Sequence, residues 1–131
     1  MAQWYRTQGM RLVLETDPEI LTVRRYAPGE IEIAGQLLRS PCIVSAHQLI
    51  SDWQASTVNT LDLNILAPLL ALQPRIVLLG SDVPEARAPG ELRRALEGRG
   101  IALEVMNLGA ACRTYNVLAQ ELRAVVAGLF P

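Results

Sequence analysis

The chain has no lysine: all twelve of its basic residues are arginine. A Schiff-base lysine, a phosphate-loop lysine and a lysine general base are therefore excluded. There is one histidine, His47, and the two cysteines, Cys42 and Cys112, are distant in sequence. With the acidic residues also scattered, no cluster has zinc-like spacing, and neither a metal nor a cofactor is expected. Two separated cysteines fit a reducing compartment better than a disulfide scaffold, so a cytoplasmic location is expected. No apolar run approaches the ~20 residues of a membrane helix, and MAQWYRTQGM lacks the basic cluster and apolar core of a secretory leader, so membrane insertion is not expected. Basic residues are not in excess either. The net charge of −1 argues against nucleic acid as a partner, because phosphate affinity rests on concentrated positive charge.

What is present suits one folded α/β domain over residues 1–131. Half of the residues are hydrophobic and 19% are charged, the balance of a folded chain, and this length buries enough surface for a self-sufficient core. Residues 1–9 show no period and read as a terminus free to be mobile. Met10 to Glu15 alternate loosely as a strand, Asp17-Pro18 marks a turn, and Ile20 to Tyr26 read as a second strand, with Arg24 and Arg25 on opposite faces. Ala27-Pro28-Gly29-Glu30 carries a type II turn signal, and Ile31 and Ile33 then share a buried face. A short strand follows between Gly35 and Ser40-Pro41, and Cys42 to Ala46 form a mostly buried one. Trp53 reads as a core anchor. Thr60 caps a proposed helix with Leu61, Ile65, Leu69 and Leu72 on one stripe, kinked or split by Pro68.

From Ile76 the pattern sharpens. Ile76-Val77-Leu78-Leu79 is an uninterrupted apolar run of the kind covered on both faces, so it is placed at the centre of a parallel sheet. A short amphipathic helix with Leu92 and Leu96 stops at Gly98 and Gly100. Ile101 to Met106 read as a strand, Asn107-Leu108-Gly109 break it, and Ala111, Tyr115, Leu118, Leu122, Val125 and Leu129 recur at helical spacing. The fold expected is a three-layer α/β domain. Its mixed central sheet has a parallel C-terminal β-α-β-α unit, with N-terminal antiparallel hairpin strands added.

Ligands collect outside the carboxyl ends of parallel strands. Those ends carry Gly80-Ser81-Asp82 and Asn107, and the second leads into a helix start bearing Cys112, Arg113 and Asn116. A shallow ligand pocket is expected from these seven residues if their strands are neighbours. Free N–H groups and Arg113 favour an anion there, while Asp82 opposes it. The competing reading is structural: Arg113 pairs with Glu104, a carboxylate in an otherwise apolar strand. Cys112 at a helix start has reason for a lowered pKa, and a Cys-His or Ser-His pair can be drawn using His47 and Ser45, but packing explains Cys112 equally well. Asn116 either ties its helix to the Asn107 loop or faces the crevice.

Glu104-Val105-Met106, followed by Ala110-Ala111-Cys112-Arg113-Thr114-Tyr115-Asn116-Val117-Leu118, resembles the signature of a small α/β family of largely undefined biochemistry. That family includes a mitochondrial respiratory complex I assembly factor and an adipogenesis-associated Mth-domain protein. The resemblance extends through Ile76 to Gly80 and Trp53 back to the hairpin from Tyr26 to Gly35. This chain departs from the pattern at Leu108, where the family has Thr, and at Gly80-Ser81-Asp82, where the family has Gly-Thr-Gly. The resemblance implies a non-enzymatic binding or assembly protein whose partner is a subunit of a membrane complex. Self-association is also expected, since Val125 to Pro131 is apolar enough to dock on a partner or a second copy, or to cover its own core. The alternative is a small-molecule or anion-binding protein, or an enzyme, using the Cys112 and Arg113 crevice.

Overall fold

A computed structural model describes residues 20–131, together with the backbone of two strands near the N-terminus. Those strands, β1 (Tyr5–Gln8) and β2 (Arg11–Leu14), pair antiparallel. The Asp17-Pro18 turn lies outside the described residues.

Three strands form an antiparallel sheet in chain order: β3 (Val23–Ala27), β4 (Glu30–Ile33) and β5 (Gln36–Leu38). The turn between the first two follows from its sequence. Pro28 sets one backbone angle, and Gly29 takes the positive φ of 85° that a type II turn requires. Ile31 and Ile33 are buried, as their alternation predicts. β3 does not alternate strictly, because Val23 faces Ile33 and Arg25 faces Glu32, leaving Arg24 as an extra residue in a bulge. The bulge shifts the phase of the strand. Val23 and Tyr26 come to the same side as Ile33 and Ile31, and Arg25 turns outward to pair with Glu32 at 2.9 Å.

The central sheet contains β6 (Cys42–Ser45), β7 (Leu49–Ile50), β8 (Ile76–Ser81), β9 (Ala102–Met106) and β10 (Val125–Phe130), in the order β7-β6-β10-β8-β9. β8 is parallel to both of its neighbours, and β6 joins antiparallel. The expected mixed sheet with a parallel C-terminal unit is therefore present, while β3 to β5 form a sheet of their own. One face of the central sheet carries α1 (Leu63–Leu70), α2 (Gly90–Gly98) and Trp53, packed with Val77, Leu79, Val126 and Phe130. The other carries α3 (Leu108–Gln120) and the three-stranded sheet, packed with Leu78, Ala127 and Leu129.

Several local expectations need correction. α1 is capped by Asp62, whose carboxylate accepts from the Ile65 N–H at 2.8 Å, and not by Thr60. A carboxylate at the helix start also answers the positive end of the dipole. Pro68 sits inside the helix without ending it. Trp53 is a core anchor: it is 5% exposed, donates to the Ile65 carbonyl at 2.8 Å and packs its ring 5.2 Å from that of Phe130.

The largest difference is at the C-terminus. The helical recurrence from Ala111 stops at Gln120, and Val125 to Phe130 form an interior strand with all six residues buried. The terminal apolar run is therefore core of this chain and does not offer a docking surface. Val125 and Leu129 are four apart, a spacing that fits a helix stripe as well as one face of a strand, and β-branched residues tip a short buried run toward strand.

α3 ends without glycine. The Leu122 N–H donates to the Ala119 carbonyl and the Arg123 N–H to the Leu118 carbonyl, a Schellman arrangement that places Leu122 at a φ of 61°. A side chain in this left-handed position is strained, by about 1–2 kcal/mol before the entropy of glycine is counted against it. Leu122→Gly is expected to raise stability by about 0.5–1 kcal/mol, read as a higher denaturant midpoint at unchanged slope.

Candidate functional site at the start of α3

The carboxyl ends of β8 and β9 are adjacent, since Gly80 is in register with Met106. The Gly80-Ser81-Asp82 and Asn107 loops therefore meet at the first turn of α3. Gly80 is there for packing: a Cβ on it would lie 2.5 Å from the Ala111 Cβ, so only glycine lets α3 sit this close to the sheet. The Ser81 hydroxyl accepts from the Val83 N–H at 3.2 Å.

Asp82 and Asn107 both serve the helix start. Asp82 Oδ1 accepts from the Leu108 N–H at 3.0 Å, and Asn107 Oδ1 accepts from the Ala110 N–H at 2.8 Å. These are first-turn donors that an incoming anion would otherwise use, and one of the acceptors is already a carboxylate.

The next residues of the helix face elsewhere. Cys112 is 1% exposed and packs in the core with Cys42; both thiols are free. Burial pushes the Cys112 thiol up from 9.0 to about 11, with Arg113 lowering it and Asp82 raising it by smaller amounts. The lowered pKa expected of a thiol at a helix start is corrected: desolvation outweighs the dipole. Cys42 is pushed further, to about 12, by burial and then by the neighbouring Cys112. Ser45 lies opposite Val126, and Val126 in turn opposite Val77, so Ser45 and the following His47 belong to the amino end of β8. A pair between Cys112 and His47 is ruled out by that separation.

Three residues of α3 instead make polar contacts to β3 and the segment that enters it. The Tyr115 hydroxyl donates to the Leu21 carbonyl at 2.8 Å. Asn116 makes a two-way contact with Val23, accepting from its N–H at 2.8 Å and donating to its carbonyl at 2.9 Å. Arg113 donates to the Tyr26 hydroxyl, and its guanidinium carbon stands 5.8 Å from the centre of the Tyr26 ring. That ring lies against Gly109, where a Cβ would come within 2.6 Å of it.

Two expectations are overturned here. Asn116 ties the helix to β3, neither to the Asn107 loop nor toward the crevice. Arg113 does not pair with Glu104, which stands exposed on the edge strand β9 and needs no buried partner. Among the described residues, ion pairs join Arg25 to Glu32 and Arg39 to Glu30. Sequence reasoning also missed Tyr26, Val23 and Gly109, since nothing in one sequence says which strand a helix will meet. Among the described residues, no group of three or more His, Cys, Asp and Glu is placed to hold a metal ion, and no helix is long and apolar enough to cross a membrane.

The chain is similar to known proteins. Residues 23–130 match a family described as a protein of unknown function (DUF498/DUF598). The chain belongs to that family. Among its relatives is the zebrafish (Danio rerio) NADH dehydrogenase [ubiquinone] 1 alpha subcomplex assembly factor 3, 27% identical over 129 residues that cover 97% of this chain and 74% of the relative. An uncharacterized protein of Rhodobacter capsulatus is 34% identical over 115 residues, 85% of each chain. The solution structure of a Mth938-like domain from Bordetella pertussis superposes with a TM-score of 0.74 at 24% identity, covering 93% of this chain and 92% of that one. The family match begins at Val23, so it takes in both sides of the clamp between α3 and β3.

Substitution separates the two sides of this site. Asn116→Ala leaves the Val23 amide and carbonyl without partners and is expected to lower stability by about 2–3 kcal/mol. Arg113→Ala removes an exposed contact and is expected to cost about 0.5–1 kcal/mol. Urea unfolding of both variants measures the difference. The thiols give a pH dependence. Since both are raised above their unfolded value of 9.0, the unfolded chain releases its protons first, and their contribution to stability falls as pH rises from about 9 toward 11. Below pH 9 that contribution is flat. Denaturant midpoints at pH 7.5 and 10 read the loss, which is expected to be smaller in Cys112→Ala, and a thiol reagent at pH 7.5 is expected to label Cys112 only on unfolding.

Proposed function

We propose that this chain is a non-catalytic protein-binding factor, acting like an assembly factor, and that its partner is a protein subunit of a membrane-bound respiratory complex. One observation carries the reading: Asp82, Asn107, Tyr115 and Asn116 are spent on holding α3 in place, and the exposed pair of Arg113 and Tyr26 continues into a stripe suited to a protein surface. Tyr26 is 44% exposed and Val117 57% exposed, with Arg113 between them, one helical turn before Val117. Tyrosine and arginine are the residue types that anchor protein interfaces. Tyr26 also walls a cleft of about 180 Å³ on the hairpin, beside the half-exposed Leu37.

The zebrafish relative, named as an assembly factor of NADH dehydrogenase, supports the same class of work. A cytoplasmic setting and association with a second copy belong to this proposal as well. The test is affinity capture of the tagged full chain from its native cells under mild detergent, with Arg113→Glu and Val117→Glu as comparisons. Stoichiometric recovery of complex subunits, lost in both variants while their circular dichroism stays native, is the expected result. Recovery of the chain alone, or equal recovery with both variants, overturns the reading.

A further inference from the structure

A cleft of about 380 Å³ opens at the end of the central sheet remote from the start of α3. β6 ends there, β10 begins there, and the turns that follow α1 and α3 close over it. Its polar lining is Ser45, His47, Gln48, Gln73 and Arg123, against an apolar wall that includes Leu72. This is the size range of sites that take metabolites, and His47, Gln48, Gln73 and Arg123 stand exposed around it.

Two observations set the cleft apart from an ordinary surface depression. The first is charge. Among the described residues no Asp or Glu lines it, and none of the ion pairs among them involves Arg123. The second is backbone strain. Gln73, in the lining, has a φ of 57°, and Leu122, immediately before Arg123, has a φ of 61°, left-handed positions that glycine normally fills.

Helix capping does not explain Arg123. The carbonyls at the end of α3 are taken by the backbone N–H groups of Glu121, Leu122 and Arg123, and those at the end of α1 by the N–H groups of Ala71, Leu72 and Gln73. Among the described residues no side-chain hydrogen bond or ion pair takes up the Arg123 guanidinium, which stands exposed at the cleft. The negative ends of both helix dipoles face this region, so an anion here must be met at close range by the arginine.

We propose that this cleft binds a small organic anion carrying a carboxylate or phosphate group, with Arg123 as its cationic side and His47, Gln48 and Gln73 as further hydrogen-bond donors. The site is independent of the α3 stripe and of any protein partner. It also gives a role to His47 and Ser45, which are at the wrong end of the sheet to serve Cys112.

Amide NMR titration of the full chain tests it, using citrate and inorganic phosphate at constant ionic strength with sodium chloride as the control. Saturable shifts centred on the amides of Gln48, Gln73 and Arg123 are expected, weakened about tenfold or more in Arg123→Gln and less in His47→Gln. They are expected to be unchanged in Arg113→Gln, on the middle of α3 and outside the cleft lining. Stronger binding of citrate than of phosphate assigns the site to carboxylates, and the reverse order assigns it to phosphate esters. Shifts that fail to saturate, that chloride reproduces, or that survive Arg123→Gln with native spectral dispersion overturn the proposal.

Discussion

Helix α3 lies on β8 at a height set by the missing side chain of Gly80, beneath the Ala111 methyl group. The other features of the site follow from that approach. It brings the loop after β8 close enough for Asp82 to hold the Leu108 amide, and it sinks Cys112 into the core, where desolvation keeps the thiol protonated. It also leaves the next residues of the helix level with the strand entering the three-stranded sheet. Arg113, Tyr115 and Asn116 then reach Tyr26, Leu21 and Val23. A run of residues that reads as chemistry in one dimension acts as joinery in three.

The parts that were legible were those whose pattern has one solution. An apolar run ending at a glycine gave β8, alternating isoleucines gave β4, and a Pro-Gly pair gave the turn between β3 and β4. β10 was not legible because a buried six-residue apolar run with Val125 and Leu129 four apart satisfies both helix and strand periods. The stop before it is made by Leu122 in a left-handed conformation, which glycine would have signalled. Glu104 misled for a related reason: β9 is an edge strand, so its apolar neighbours do not imply burial on both sides. The meeting of the Gly80 and Asn107 loops could be anticipated from parallel topology. The partner of Asn116 could not, because it lies 93 positions away in sequence.

The two open surfaces differ in kind. The stripe joins the Tyr26 ring of β3 to the guanidinium of Arg113 and the aliphatic Val117 on α3, which suits a macromolecular surface. The cleft between β6 and the start of β10 is concave and polar, which suits a small molecule. They lie at different places along α3, the stripe on its middle turns and the cleft beyond its last.

The bulge at Arg24 has a consequence for how this chain can vary. Because it is one extra residue, it sets whether the aromatic ring of β3 turns toward the helix or away from it. Arg24 itself is exposed, so its identity is nearly free while the bulge that absorbs it is not. Without the extra residue Val23, Arg25 and Tyr26 would alternate regularly against Ile33, Glu32 and Ile31, so deleting Arg24 keeps Tyr26 on the side of Val23, whereas flattening the bulge with the residue retained would turn Tyr26 away from Gly109 and Arg113.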